Sequence, residues 1–91
     1  MDDTQANKTA NLFKSLANPL RLKLLHALSE GEKCVSELAS ISDARDSTVS
    51  QHLALLRKDG LVANRRNAQT IFYCLANAKI SELISVATRE A

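Results

Sequence analysis

Asp46-Ser47-Thr48-Val49-Ser50-Gln51-His52-Leu53-Ala54-Leu55-Leu56-Arg57-Lys58 is the stretch on which the fold turns. Val49, Leu53 and Leu56 recur at helical spacing, so a helix with that stripe buried is predicted here. Asp46 or Ser47 is expected to cap it, and Asp59-Gly60 to stop it. At about 100° per residue, the opposite face carries Ser47, Ser50, Gln51, Ala54 and Lys58. Thr48 and His52 fall at its sides.

Toward the N-terminus, Ser42-Asp43-Ala44 reads as a turn, and Val35, Leu38, Ala39 and Ile41 as a short helix before it. Asn18-Pro19 opens an earlier helix with Leu20, Leu24 and Leu28 as its stripe, Leu25 beside it and Gly31 at its end. Arg21 lies among those leucines, and a cation there needs a partner, an ion pair or a phosphate. A first helix, with possible caps from Asp2 to Thr4, carries Ala6, Ala10, Phe13 and Ala17, with Leu12 and Leu16 alongside.

Toward the C-terminus the period changes. Leu61-Val62-Ala63 starts an extended run, Arg65-Arg66-Asn67-Ala68-Gln69 is a basic tip, and Thr70 to Leu75 alternates with Ile71, Tyr73 and Leu75 on one face. This is a two-stranded hairpin. A last helix places Ile80, Leu83, Ile84 and Ala87 in one stripe, which no obvious layer of the same chain covers. The expected fold is therefore mainly α with a small β-hairpin, in the order helix, helix, helix, helix, hairpin, helix. That is a winged helix-turn-helix, one domain over residues 1–91.

A chain of 91 residues has room for one core and no cleft between domains. The longest apolar stretches are short and broken by charge, so no segment is expected to span a membrane. Met-Asp-Asp-Thr-Gln does not read as a signal peptide, and a cytoplasmic location is expected. Paired carboxylates, a nucleophile with its base, and a Gly-rich phosphate loop are all missing, with Gly31 and Gly60 the only glycines. The chain is not expected to be an enzyme or to hold a cofactor.

Net charge is only +2, but its distribution is uneven. Between Arg45 and Gln69 the cations are Arg45, Arg57, Lys58, Arg65 and Arg66, against Asp46 and Asp59. A helix with a short polar outer face can approach the floor of a major groove. There Gln bonds adenine through two hydrogen bonds, and Ser bonds several bases. Arg65, Arg66, Asn67, Gln69 and Thr70 would meet the duplex from the hairpin tip, while Arg57 and Lys58 are phosphate candidates. His52 is either packed at the helix edge and bonded to backbone, or a phosphate contact. The competing class is a winged helix used as a protein-interaction module. The outer face, uncharged apart from Lys58 and framed by Arg65 and Arg66, favours double-stranded DNA.

These residues resemble a family. Leu16-Ala17-Asn18-Pro19-Leu20-Arg21-Leu22 is similar to the entry of the second helix in the ArsR/SmtB regulators. Ser47-Thr48-Val49-Ser50-Gln51-His52-Leu53-Ala54-Leu55-Leu56-Arg57 resembles their recognition helix. Gly60-Leu61-Val62 with Arg65-Arg66-Asn67-Ala68-Gln69-Thr70-Ile71-Phe72-Tyr73 resembles their wing, most closely in the metal-free NolR/HlyU-type branch. The resemblance implies a homodimeric, sequence-specific transcriptional repressor on an inverted-repeat operator. It implies pairing through the first and last helices, for which Ala10, Phe13, Ala17, Ile80, Leu83, Ile84 and Ala87 are the candidates. It also implies Ser47, Thr48, Ser50, Gln51 and His52 near base edges or backbone. Asp46 stands where the NolR-like members carry Gln, so it is expected to cap the helix or read a cytosine amine.

Family members often carry Cys-Val-Cys-Asp-Leu where this chain has Cys34-Val35-Ser36-Glu37-Leu38. One thiolate cannot hold a soft metal, and Asn77-Ala78-Lys79 lacks the ligands of the last-helix zinc site, so no metal is expected. A thiol redox response using Cys34 and Cys74 remains an alternative, against the reading of both as small buried apolar residues.

Overall fold

Local devices fix where each helix begins. In a computed structural model that describes residues 1–90, the order is α1 (Asp3–Leu16), α2 (Pro19–Ser29), β1 (Lys33–Cys34), α3 (Val35–Ser42), α4 (Asp46–Lys58), β2 (Val62–Asn67), β3 (Thr70–Leu75) and α5 (Ala78–Glu90). Asp2 caps α1 reciprocally: its Oδ1 accepts the Gln5 N–H at 2.8 Å, and Gln5 Oε1 accepts the Asp2 N–H at 3.2 Å. Asn18 Oδ1 accepts the Arg21 N–H at 3.1 Å, and Pro19 fills the first position of α2, where no N–H is needed.

The start of α4 differs from expectation. Its N-cap is Arg45, without a side-chain bond, and Asp46 is already the first helical residue. The preceding turn is the reason. Asp43 takes the left-handed conformation (φ 53, ψ 48), ending α3, and the chain runs extended only through Arg45 before helical dihedrals begin. Asp46 therefore contributes charge beside the unpaired N–H groups of the first turn rather than a capping oxygen. The other end is as read. Gly60 is left-handed (φ 76); its N–H reaches Arg57 O at 3.0 Å, and the Leu61 N–H reaches Leu56 O at 2.9 Å. These two bonds close the last carbonyls of α4.

The hairpin gains a third strand. The sheet runs β1-β3-β2, with Lys33 opposite Tyr73 and Cys34 opposite Phe72. Two residues carry no alternation to read, which hid β1 from the pattern. Between β2 and β3, Asn67 faces Thr70 across Ala68-Gln69, and Ala68 takes φ 57 to make the reversal.

Leu24, Leu25, Leu38, Val49, Leu53 and Leu56 are fully buried and form the centre of the core. Ile41, expected among them, is 56% exposed, while Ala44 packs against the cluster from the turn. The stripe of α5 also divides. α5 lies on α2 and β3, so Ile80 and Ile84 are buried in the chain's own core. The expectation that this stripe lacks a layer of its own chain fails for those two. Leu83 is half-buried, and Ala87 is exposed. Among the described residues no helix is long and apolar enough to cross a membrane.

Candidate nucleic-acid interface

The buried stripe of α4 sets what its other side offers. With Val49, Leu53 and Leu56 sealed, Ser47, Ser50, Gln51, Ala54, Arg57 and Lys58 are all exposed. Among the described residues none of the exposed polar set holds a side-chain hydrogen bond. Their donors and acceptors are thus free for a ligand. Arg57 and Lys58 stand in the last turn, where the helix dipole favours cations. Two neighbours were missed. Leu55, 46% exposed, lies one turn beyond Gln51, and an apolar group there suits a thymine methyl. Arg45 is exposed at the N-terminal end of α4, where helices of this kind meet base edges.

Thr48 and His52 are half-buried along one flank. His52 is not bonded to backbone: its Nδ1 accepts from Arg21 Nε at 3.2 Å. The partner of Arg21 is thus an imidazole nitrogen, with the Ser15 carbonyl accepting from Nη1 at 3.3 Å. Among the described residues no carboxylate pairs with Arg21, so the ion pair offered as one alternative is not formed there. Ser15 is buried on α1, and its Oγ donates to Asp59 Oδ2 at 2.6 Å, at the end of α4.

In the wing the two arginines part company. They are adjacent on a strand, so they face opposite ways. Val62 and Asn64 mark the inner, helix-facing side of β2, and Arg66 shares it by parity. Arg65 takes the outer side and lies over the Phe72 ring at 5.1 Å. It crosses β3 to meet Glu32 in a two-point ion pair, Nε to Oε2 at 2.8 Å and Nη2 to Oε1 at 2.6 Å. These bonds hold the Glu32 carboxyl below the usual carboxylate range. Arg65 is therefore already partnered inside the protein, although its side chain stays exposed and its expected duplex contact is not decided by this pair. Arg66, Asn67, Gln69 and Thr70 are exposed at the tip.

The cysteines are free and half-buried, and the strands fix their spacing. Cys34 faces Phe72 and Cys74 faces Ala63, which puts both on the outer side, a diagonal apart. Such diagonals measure roughly 7–8 Å, beyond the usual disulfide span. This register does not support a Cys34–Cys74 bridge. Among the described residues no cluster of three His, Cys, Asp or Glu can hold a metal ion.

A second surface lies away from α4. A groove of about 670 Å³ runs between α1, α2 and α5, lined by Phe13, Leu16, Ala17, Leu22, Leu83, Ile84 and Ala87, among others. Phe13 is 54% exposed. Ala10 is exposed on the same helix but does not line the groove.

Residues 18–64 match the arsR family of bacterial regulatory proteins. The chain is 43% identical over 83 residues to the biofilm growth-associated repressor of Xylella fastidiosa, covering 91% of this chain and 73% of that one. It is 43% identical over 82 residues to the transcriptional activator HlyU of Vibrio cholerae, covering 90% and 76%. The solved HlyU structure superimposes with a TM-score of 0.87 at 42% identity, over 98% of this chain and 96% of that one. The winged helix-turn-helix DNA-binding domain of Mb0332 from Mycobacterium bovis, described as homodimeric, gives a TM-score of 0.84 at 30% identity, over 97% and 84%. With the matched segment spanning α2, the turn, α4 and the start of the wing, the chain belongs to the arsR family of bacterial regulatory proteins, on the HlyU side of it, and is a winged helix-turn-helix DNA-binding transcriptional regulator rather than an enzyme.

Proposed function

We propose that two copies of the chain pair through the groove between α1 and α5 and bind an inverted-repeat operator, acting as a repressor. The carrying observation is the outer face of α4: exposed, polar, without internal partners, and framed by exposed cations. In this reading Ser47, Ser50 and Gln51 meet base edges, and Ala54 permits close approach. Arg57, Lys58, Arg66, Asn67, Gln69 and Thr70 meet backbone. Thr48 lies at the margin of the reading face. Two α4 helices would enter successive major grooves about 34–36 Å apart.

Pairing is supported by the exposed apolar side chains Phe13, Leu22 and Val86 beside the groove, and by the homodimeric state described for the Mycobacterium bovis domain. Phe13, Ala17, Leu83, Ile84 and Ala87 line the groove and would form the joint, with Ala10 exposed on the same helix, while Ile80 is buried in the chain's own core. A duplex partner makes the cytoplasm the place of action. Relatives of equal identity are named a repressor and an activator, so the sign rests on where the operator lies. Repression follows when that site overlaps a promoter. Selection of bound genomic fragments, followed by a reporter assay on the recovered site, tests the whole reading. Fragments without a common inverted repeat would overturn it, and so would a reporter that rises with the protein.

A further inference from the structure

Arg21 and His52 form a polar pair that the base-reading face does not use. An arginine has only donors, so the 3.2 Å bond has one possible direction: Arg21 Nε–H donates and His52 Nδ1 accepts. A ring nitrogen that accepts carries no proton, which puts the proton of the neutral ring on Nε2. Among the described residues that atom has no hydrogen-bond partner, and it is not sealed from solvent. The flank of α4 therefore shows solvent one N–H donor of fixed tautomer, beside Gln51.

The guanidinium is itself held. Its Nη1 donates to the Ser15 carbonyl at 3.3 Å, and Ser15 Oγ donates to Asp59 at 2.6 Å. α1 thus grips both Arg21 and the end of α4, and the ring is oriented before any ligand arrives. Preorganised N–H donors at the margin of a groove-reading helix suit phosphate oxygens, which accept and carry charge.

We propose that His52 is a backbone-phosphate ligand through its Nε2–H, and that Arg21 is a positioning residue that acts through His52. This rests on the docking of α4 proposed above. Arg21 itself touches no phosphate.

Binding of a random-sequence duplex, measured by fluorescence anisotropy across salt, tests the pair. Arg21→Met, His52→Ala and the double variant are each expected to weaken binding about tenfold, the loss of one hydrogen bond to a charged group. The double variant should be no weaker than His52→Ala alone. The salt slope should stay at the wild-type value, because no cation leaves the interface. A slope lower by about 0.9 in Arg21→Met puts Arg21 on a phosphate itself and overturns the proposal. Additive losses overturn it too. ¹⁵N NMR of the wild-type chain reads the tautomer without any substitution: protonated Nε2 and bare Nδ1 are expected, and a proton on Nδ1 overturns the assignment. Wild-type binding with a normal slope and a silent His52→Ala sinks this contact only. Absence of salt-dependent duplex binding by the wild type sinks the docking of α4 as well.

Discussion

Gln51 has both amide groups free on the exposed side of α4, next to Ser47 and Ser50. Replacing it by Ala should weaken a selected operator by about 1–3 kcal/mol while leaving random duplex nearly unchanged. Competition between the two in one gel-shift series measures the difference. For the wing, Arg66→Gln should lower the salt slope by about 0.9. Arg65→Gln should change it less, because Glu32 already neutralises that cation. Equal slopes in both variants would show that parity does not sort the two arginines. The outer set of α4 was legible in the sequence because a helical period fixes the exposed face once the buried stripe is known. The role of Arg65 was not. Its partner lies 33 positions away, and only the strand order brings Glu32 within reach across Phe72.

Among the elements, the Gly60 closure of α4 is the most sensitive to backbone chemistry. A Cβ there meets open space, so Gly60→Ala tests conformation rather than packing. The left-handed φ should make it cost about 1–2 kcal/mol, read as a lower midpoint in urea. The ion pair across the sheet has a pH signature. Arg65 holds the Glu32 carboxyl below its ordinary value, so the pair contributes in full above that ordinary value. Its contribution disappears as pH falls through the lower, folded value. An NMR titration should place Glu32 below the ordinary carboxylate range, and Arg65→Gln should raise it again. At this scale helices and hairpin were readable from period and punctuation, while β1 was too short to leave a pattern. The cap of α4 was misplaced because the left-handed Asp43 shifts the helix start by a residue. A single sequence does not display that dihedral.

For the whole molecule, the groove between α1 and α5 is the feature still without a partner in one chain. Phe13→Asp should leave the core intact, since Phe13 is 54% exposed. It should shift sedimentation toward monomer at micromolar concentration and weaken operator binding together with it. A monomeric wild type would remove the pairing surface. The sequence marked Phe13, Leu83, Ile84 and Ala87, which line the groove, but it also marked Ile80, because periodicity cannot tell a residue that faces its own core from one that faces a second copy. Finally, β1 has a mechanical consequence. By pairing with β3 it rivets the wing to the segment that leads into α3, and the Glu32–Arg65 strap adds a second rivet. A hairpin fastened at two points should swing less than a free one, so reading helix and wing tip are expected to act as the jaws of a fixed-gauge caliper. The offset along the duplex between groove protection and tip protection should then be the same, to the base pair, on every site the protein occupies.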